Sequence, residues 1–235
     1  MIPIFVINLD RQPERLLSVE SELAEIGLEF ARFPAIDLES LKRSGDELVT
    51  AGVQACWESH IEVSKSIVSL GVSHALILED DIDIRREKLL IDFLHDFDFR
   101  EFDLVQIGYL TPGIVNKLSR KIRNLESLFF KLLSFLAQIS PFVRSRIGKR
   151  LRVERASRCP AGFIPDDFLP GTHAYLISFD MAKKVALLNN PQFLSADDFF
   201  SALAKMRSFR IIRTRRSWIK QKKMSGIGRE RFISQ

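Results

Sequence analysis

Cysteine is scarce in this chain, and the sequence signatures of several common kinds of site are missing. Only Cys56 and Cys159 occur among the 235 residues, which is too few for a disulfide framework and fits a reducing cytoplasm. We expect both cysteines to be packing residues. No Cys/His cluster has the spacing of zinc ligands, and neither a Gly-x-Gly-x-x-Gly loop nor a Walker-type loop is present. We therefore expect any bound phosphate to be held by a metal ion and cationic side chains.

Internal repeats and low-complexity tracts are lacking too, and the first residues do not resemble a secretory signal. Residues 1–7 carry no basic side chain and run directly into Asn8 and Asp10, so we expect them to form a first strand. With 46% hydrophobic and 28% charged residues, the composition is that of a globular protein able to bury a sizeable core. The length predicts a single domain over residues 1–235.

Apolar runs alternate with segments of helical periodicity in the first half of the chain. Strands are predicted at residues 3–9, 30–36, 75–78 and 103–109, and helices at 11–27, 53–70 and 87–95. This order predicts an α/β fold with a mostly parallel sheet flanked by helices. The pattern breaks at about 111–170 and resumes with a strand at 172–178, helices at 181–188 and 197–206, and a strand at 209–214. Beyond Arg215 we expect a mobile, basic tail.

Three consecutive acids follow the most apolar predicted strand. Residues 75–78 run straight into Glu79, Asp80 and Asp81, and unpaired charges are too costly to bury as core. We expect the acids at the mouth of the sheet, where carboxylate oxygens suit Mg²⁺ or Mn²⁺. Strand alternation would direct Glu79 and Asp81 to one side and Asp80 to the other. The alternative is a solvated strand end whose acids cap a helix.

Six segments stand out by their order and spacing: Ile7–Arg11 with Glu14-Arg15, Ala55–His60, Leu78–Asp81, Gly171–Ser178, Ser195–Asp197, and Gln221 with Ser225–Arg229. Together they resemble glycosyltransferase family 25, which includes the bacterial lipooligosaccharide galactosyltransferases. The resemblance covers nearly the whole chain except residues 111–165. Ser64, His173 and Ala174 depart from the usual pattern at positions that could lie near the sugars.

The resemblance implies a GT-A-type, Rossmann-like fold and inverting transfer of a sugar from a UDP-sugar to a glycan. UDP-galactose is the typical donor, and another nucleotide sugar such as UDP-glucose stays open. Asp81, with Glu79 or Asp80, would hold a divalent metal that assists departure of the diphosphate. Asp197 would be the general base that accepts the acceptor proton, with Asp198 as its substitute. A simple helix N-cap is the alternative role for Asp197.

Donor-binding residues are expected in four places. Asn8, Leu9, Arg11 and Arg15 follow the first strand, where arginines can pair with phosphate oxygens, although surface salt bridges are an alternative. The other candidates are Glu79 and Asp80, the turn at Gly171 and Thr172, and Gln221. His60 and Tyr175 are expected to be hydrogen-bonded packing residues.

Positive charge is concentrated in one segment of the predicted insertion at 111–165. Residues 117–155 hold eleven Lys/Arg and two Glu, a net +9 in a chain of net +5. Leu/Phe at helical spacing over 125–143, flanked by cations, favour an amphipathic helix on an anionic membrane surface, with packing on the protein as the alternative. Nucleic acid fits this apolar segment less well.

These observations predict a peripheral enzyme on the cytoplasmic face of a bacterial inner membrane. Its acceptor would be a lipid-linked oligosaccharide of lipopolysaccharide or lipooligosaccharide assembly. Two alternatives remain open: a non-catalytic membrane adaptor that keeps the fold, and a nucleotide-sugar hydrolase.

Overall fold

The described part of the chain is built on a sheet of nine strands with helices on both faces. The computed structural model describes residues 2–41, 50–110, 159–187, 195–206 and 209–222. The strands are β1 (Ile4–Asn8), β2 (Ala31–Pro34), β3 (His74–Glu79), β4 (Ile82–Ile84), β5 (Leu104–Gly108), β6 (Phe163–Pro165), β7 (Ala174–Ser178), β8 (Ile211–Thr214) and β9 (Ile219–Gln221). The helices of the described ranges are α1 (Pro13–Glu25), α2 (Ala51–Leu70), α3 (Glu87–Asp96), α4 (Phe179–Ala186) and α5 (Ala196–Met206). The α/β class predicted from the sequence is confirmed.

The sheet is mixed, so the expectation of a mostly parallel sheet holds for only part of it. The strand order is β2-β1-β3-β7-β5-β8-β6, with β9 beside β5 and β4. β2, β1 and β3 are parallel, whereas β7 lies between β3 and β5 and is antiparallel to both. Residues 109–173, which include β6, separate β5 from β7 in the chain. Because a connection of this length can return the chain in either direction, the element order did not constrain the direction of β7.

The central strands are buried on both faces, which explains their unbroken apolar sequences. In β3, Ala75 and Ile77 pack into the layer beneath α2 and α4, while Leu76 and Leu78 pack into the layer on the opposite side. All four side chains are fully buried. Two-sided burial favours a continuous apolar run rather than alternation, as the sequence of this strand shows.

The end of α2 agrees with the sequence prediction, whereas the structure after Arg215 does not. α2 ends at Gly71 as expected, because this residue has a left-handed φ of 66° that closes the helix at low steric cost. The expectation of an irregular tail after Arg215 is wrong for residues 219–221, which form β9 against β4. Three residues are too few to display a strand periodicity in sequence. Residues 223–235 lie outside the described part of the chain.

The predicted basic insertion falls largely outside the described residues. Residues 111–158 are not described, so neither the amphipathic helix nor the membrane surface at 117–155 is tested by the structure. β6, near the end of that predicted insertion, pairs with β8 and belongs to the main sheet. None of the helices in the described ranges has the length and hydropathy needed to cross a bilayer.

Candidate active site

The candidate site lies where two neighbouring parallel strands end. β1 ends at Asn8 and β3 at Glu79, and the register pairs Ile7 with Glu79. A cleft at this edge of the sheet is lined by Leu9, Arg11, Arg15, Cys56, His60 and the three acids 79–81. The carboxyl ends of parallel strands are the usual position of ligand sites in α/β folds. Seven of the residues predicted from sequence therefore meet at one edge.

Each of the three consecutive acids has a different set of partners. Asp80 accepts hydrogen bonds from Asn8 Nδ2 at 2.8 Å and Arg15 Nη1 at 3.3 Å. Asp81 Oδ2 accepts from Gln221 Nε2 at 2.8 Å. Asp80 and Asp81 are buried, so the alternative of a solvated strand end is wrong. The strand stops at Glu79 and residues 80–81 form a turn, so strand alternation does not extend to Asp81.

Asp81 has the features of a carboxylate that is suited to binding a cation. Its Oδ1 is buried without a hydrogen-bond partner, an arrangement that is costly for a polar atom. Burial and the negative charge of Glu79 raise the pKa of Asp81 to about 7. A bound cation would satisfy Oδ1 and return the carboxylate to its ionised form. The residues present therefore fit the divalent metal that the sequence predicts.

Glu79 belongs to a hydrogen-bonded row that reaches into the core. It accepts from Thr172 Oγ1 at 2.8 Å, and its Oε1 lies 3.4 Å from His60 Nε2. His60 Nδ1 is in turn 2.8 Å from the hydroxyl of Tyr175. Burial is the largest single influence and acts to raise the pKa of Glu79, but His60, His173 and Thr172 together outweigh it, so the pKa is lowered. His60 and Tyr175 are buried and hydrogen-bonded as expected, and His60 also lies beside Glu79 in the lining of the cleft.

Cys56 is a residue of the site that sequence reasoning assigned to packing. Cys56, His60 and Glu79 form a group of potential metal ligands whose donor atoms lie within 4.8 Å of one another. The spacing of Cys56 and His60, four residues apart on α2, was the available signal. Cys56 is exposed to solvent in the cleft, yet desolvation by the surrounding atoms and the nearby carboxylates raise the pKa of its thiol well above the usual value. A protonated thiol makes this group less suited than carboxylate oxygens to Mg²⁺ or Mn²⁺.

Asp197 does not cap its helix, although a cap was the alternative interpretation. Ser195 performs that role at the start of α5: its Oγ accepts from the Asp198 backbone N–H at 3.2 Å and donates to Asp198 Oδ2 at 2.7 Å. The carboxylate of Asp197 instead accepts from the backbone N–H of Gly171 at 2.9 Å. Burial and the charge of Glu79 raise the pKa of Asp197 to about 6. Such a carboxylate is ionised at neutral pH and still basic enough to accept a proton.

The Gly171-Thr172 turn connects the two acidic parts of the site. Gly171 donates to Asp197, and Thr172 donates to Glu79. Gly171 has a φ of 112°, and a Cβ there would lie only 2.9 Å from the ring of His173 and 3.1 Å from the Leu110 nitrogen. Only glycine fits this conformation and this space, so the turn that holds Asp197 depends on it.

The two predicted arginines occupy different positions in the cleft. Arg15 is mostly buried and pairs with Asp80, whereas Arg11 is half-exposed at the rim and pairs with Asp37 at 2.6 Å. Arg32, which the sequence did not single out, donates to Asn8 Oδ1 at 3.0 Å and orients its amide toward Asp80. Arg32 lies on the edge strand β2, where the sequence offers no signal to distinguish it from a surface arginine.

The match to known families supports the assignment made from sequence. The family model described as "Glycosyltransferase family 25 (LPS biosynthesis protein)" matches residues 1–200. The chain belongs to glycosyltransferase family 25. Similar curated proteins are "Glycosyltransferase 25 family member" of Drosophila pseudoobscura pseudoobscura, 36% identical over 96 residues, and its namesake in Drosophila melanogaster, 35% identical over 98 residues. Each match covers 34% of this chain and only 15% and 16% of those longer relatives.

Similarity to solved structures is weaker. A crystal structure of a protein from STIV has a TM-score of 0.43 and 13% identity over 96% of this chain and 87% of that chain. A glycosyltransferase involved in glycosylation of the major capsid of PBCV-1 has a TM-score of 0.28 and 14% identity, over 49% of this chain and 54% of that chain. Likenesses of this size carry no argument about mechanism. The family 25 assignment rests on the sequence match.

Proposed function

We propose that this family 25 protein is an inverting, metal-assisted glycosyltransferase that uses a UDP-sugar, most simply UDP-galactose, and a glycan acceptor. The observation that carries the proposal is the presence of two carboxylates in different environments. Asp81 has an unpartnered oxygen in the cleft at the ends of β1 and β3, here called the donor cleft. Asp197 accepts a hydrogen bond from Gly171 and has a raised pKa. Leaving-group stabilisation and proton acceptance require two such groups.

The donor would be held at the sheet edge by residues that are already ordered. Asn8 and Arg15 are fixed by Asp80, and Arg11 lies at the rim, where its exposed guanidinium can reach a diphosphate. Asp81, with Glu79 or Asp80, would hold a divalent cation that supplies Lewis-acid neutralisation of the diphosphate. Mg²⁺ sites that use one or two carboxylates plus substrate phosphates are common, so three converging protein ligands are not required. Gln221 keeps Asp81 oriented through its amide.

Asp197 would accept the proton of the attacking acceptor hydroxyl. Its Oδ2 is occupied by the Gly171 N–H, and no described residue hydrogen-bonds to Oδ1, which is therefore available to the hydroxyl. As the proton moves to Asp197, the hydroxyl oxygen bonds to the anomeric carbon and the carbon–diphosphate bond breaks on the opposite face. Attack opposite the leaving group inverts the configuration at that carbon. Asp198 is engaged in the helix cap, which favours Asp197 as the base.

We also propose the acceptor class and the location of the enzyme. A lipid-linked oligosaccharide of lipopolysaccharide type agrees with the description of the matching family. The charge pattern of residues 117–155 supports peripheral binding to the cytoplasmic face of a bacterial inner membrane. The basis for this part is sequence alone.

The deciding experiment is release of UDP from a panel of UDP-sugars, with Mn²⁺ and then with EDTA. We expect metal-dependent turnover of one sugar, strongly reduced in Asp81→Asn and Asp197→Asn. Asp92→Asn, an exposed acid on α3, is the matched control and should retain activity. If no sugar is turned over although calorimetry shows UDP binding, the transferase proposal is wrong for the chain as tested.

A further inference from the structure

A second cleft opens beside the β4–β9 pair, and its charge is opposite to that of the donor cleft. Six of its lining side chains are cationic, and none is acidic. They are Arg85, Arg86, Arg213, Arg215, Arg216 and Lys220; Tyr109, Leu169 and Ser217 complete the lining. This surface is called the basic cleft below.

Most of the positive charge in the basic cleft is not neutralised by neighbours. Arg213 pairs with Asp167 at 2.7 Å, and Arg85 pairs with Asp83. The other four, Arg86, Arg215, Arg216 and Lys220, are exposed and form no ion pair within the described ranges. Like charges gathered in a concave surface repel one another and raise the local concentration of anions.

The backbone that carries these cations is firmly held. Trp218 donates its N–H to Ile107 at 2.9 Å and accepts from Arg85 N–H at 2.8 Å. Arg215 N–H donates to Gly162 at 2.8 Å. Ser217 Oγ accepts from the Tyr109 N–H at 3.2 Å. The arginines therefore project from an ordered scaffold, which lowers the entropy lost when an anion binds.

Two short chain segments contribute residues to both the basic cleft and the candidate active site. Lys220 lines the basic cleft, and the next residue, Gln221, donates to Asp81. Leu169 lines the basic cleft, and Gly171, two residues later, donates to Asp197. The basic cleft is therefore connected to the candidate active site through the segments that hold Asp81 and Asp197.

We propose that the basic cleft binds phosphate groups carried by the acceptor glycan, an inference that rests on the proposed transferase function. Five of its six cations are arginines, whose planar forks pair with phosphate oxygens in bidentate fashion. Nucleic acid fits less well, because Tyr109 is buried and covered by Arg213, 5.2 Å from its ring centre, and offers no face for a base. The donor diphosphate has its own cleft at Arg11 and Arg15.

Binding of labelled dextran phosphate, measured by fluorescence anisotropy, tests this proposal without requiring catalysis. The comparison ligands are uncharged parent dextran and carboxymethyl-dextran with the same net charge as the dextran phosphate. Wild type should prefer dextran phosphate to both, and Arg215→Gln/Arg216→Gln should weaken it about tenfold or more. Lys183→Gln/Lys184→Gln removes the same charge from exposed positions on α4 and should leave binding unchanged.

Three outcomes would overturn the inference. The first is that wild type binds carboxymethyl-dextran as tightly as dextran phosphate. The second is that both double variants lose the same affinity for dextran phosphate. The third is that no dextran phosphate binds, while R215Q/R216Q loses the binding of phosphatidylglycerol vesicles that wild type shows. The last would make the cleft a membrane contact. Calorimetry with UDP should give the same affinity in wild type and both variants, which shows that the fold is intact. If UDP does not bind but dextran phosphate does, the transferase proposal fails and the basic cleft stands.

Discussion

The cleft at the ends of β1 and β3, which is the proposed donor cleft, and the basic cleft use charge in opposite ways. In the proposed donor cleft the charged groups are buried or half-buried, and individual partners hold them, as Asn8 and Arg15 hold Asp80. In the basic cleft, four cations are exposed and lack acidic partners among the described residues. Buried, individually fixed charges are suited to chemistry that needs defined geometry, because low dielectric strengthens each interaction. Exposed charges of one sign attract anionic ligands, and the strength of that attraction depends on salt.

The strongest test of this contrast is removal of the proposed base. Asp197→Asn should lower kcat by roughly 10²–10⁴ while UDP affinity is unchanged, since the side chain acts on the acceptor proton. Single-turnover transfer and UDP calorimetry together measure this. A loss of UDP affinity equal to the loss of rate would show a structural role instead.

The same variant separates function from stability. The pKa of Asp197 is raised from 3.8 to about 6, so the folded state binds more protons than the unfolded state between these values. Stability contributed by this group is present below pH 4 and is lost as pH rises through 6. Asp197→Asn should therefore be more stable than wild type at pH 7, by about 3 kcal/mol. Urea unfolding at pH 4 and pH 7 measures the difference in the free energy of unfolding between the variant and wild type. The same difference at both pH values would contradict the raised pKa of Asp197.

The pH dependence of catalysis follows from the same carboxylate. Because only the ionised form accepts a proton, wild-type kcat/KM should rise through a pKa of about 6 and then level off. Residual activity of Asp197→Asn should lack that rise. A profile that keeps the same rise in the variant would place the titrating group elsewhere.

The location of the metal is the next comparison, between Asp81 and Cys56. Asp81→Asn should weaken Mn²⁺ activation by about 100-fold, because the unpartnered oxygen is lost. Cys56→Ser should change it little, and Gln221→Leu, which releases Asp81, should give an effect of about tenfold. Titration of Mn²⁺ by activity and by calorimetry measures all three. If Cys56→Ser has the larger effect, the Cys56, His60 and Glu79 group is the metal site.

The smallest expected effect concerns salt. Raising NaCl from 50 to 200 mM should weaken dextran phosphate binding several-fold while UDP binding, with its half-buried contacts, changes less. The salt dependence should be shallower in R215Q/R216Q because fewer counterions are released. Equal salt dependence of both ligands would remove the distinction between the clefts.

Local patterns were sufficient for much of the fold and for the donor side of the site. The apolar run 75–78 marked a strand buried on both faces, and Gly71 marked the end of α2. Asn8, Arg15 and the acids 79–81 could be assembled because parallel strands end at the same edge. The direction of β7 and the existence of β9 could not be predicted from the sequence. A long connection precedes β7, and the three residues of β9 are too few to show a periodic pattern.

The sequence by itself determined the family, the α/β class and the candidate carboxylates, since these depend on motifs and on short-range periodicity. Tertiary structure alone decided which partner each carboxylate has. It assigned the helix cap to Ser195 and turned Asp197 toward Gly171. It also brought Arg213, Arg215 and Arg216 beside Arg85 and Arg86, which are more than 120 positions away in the chain. Hydrogen bonds, burial and pKa shifts depend on distances across the fold, and residue spacing along one chain does not contain them.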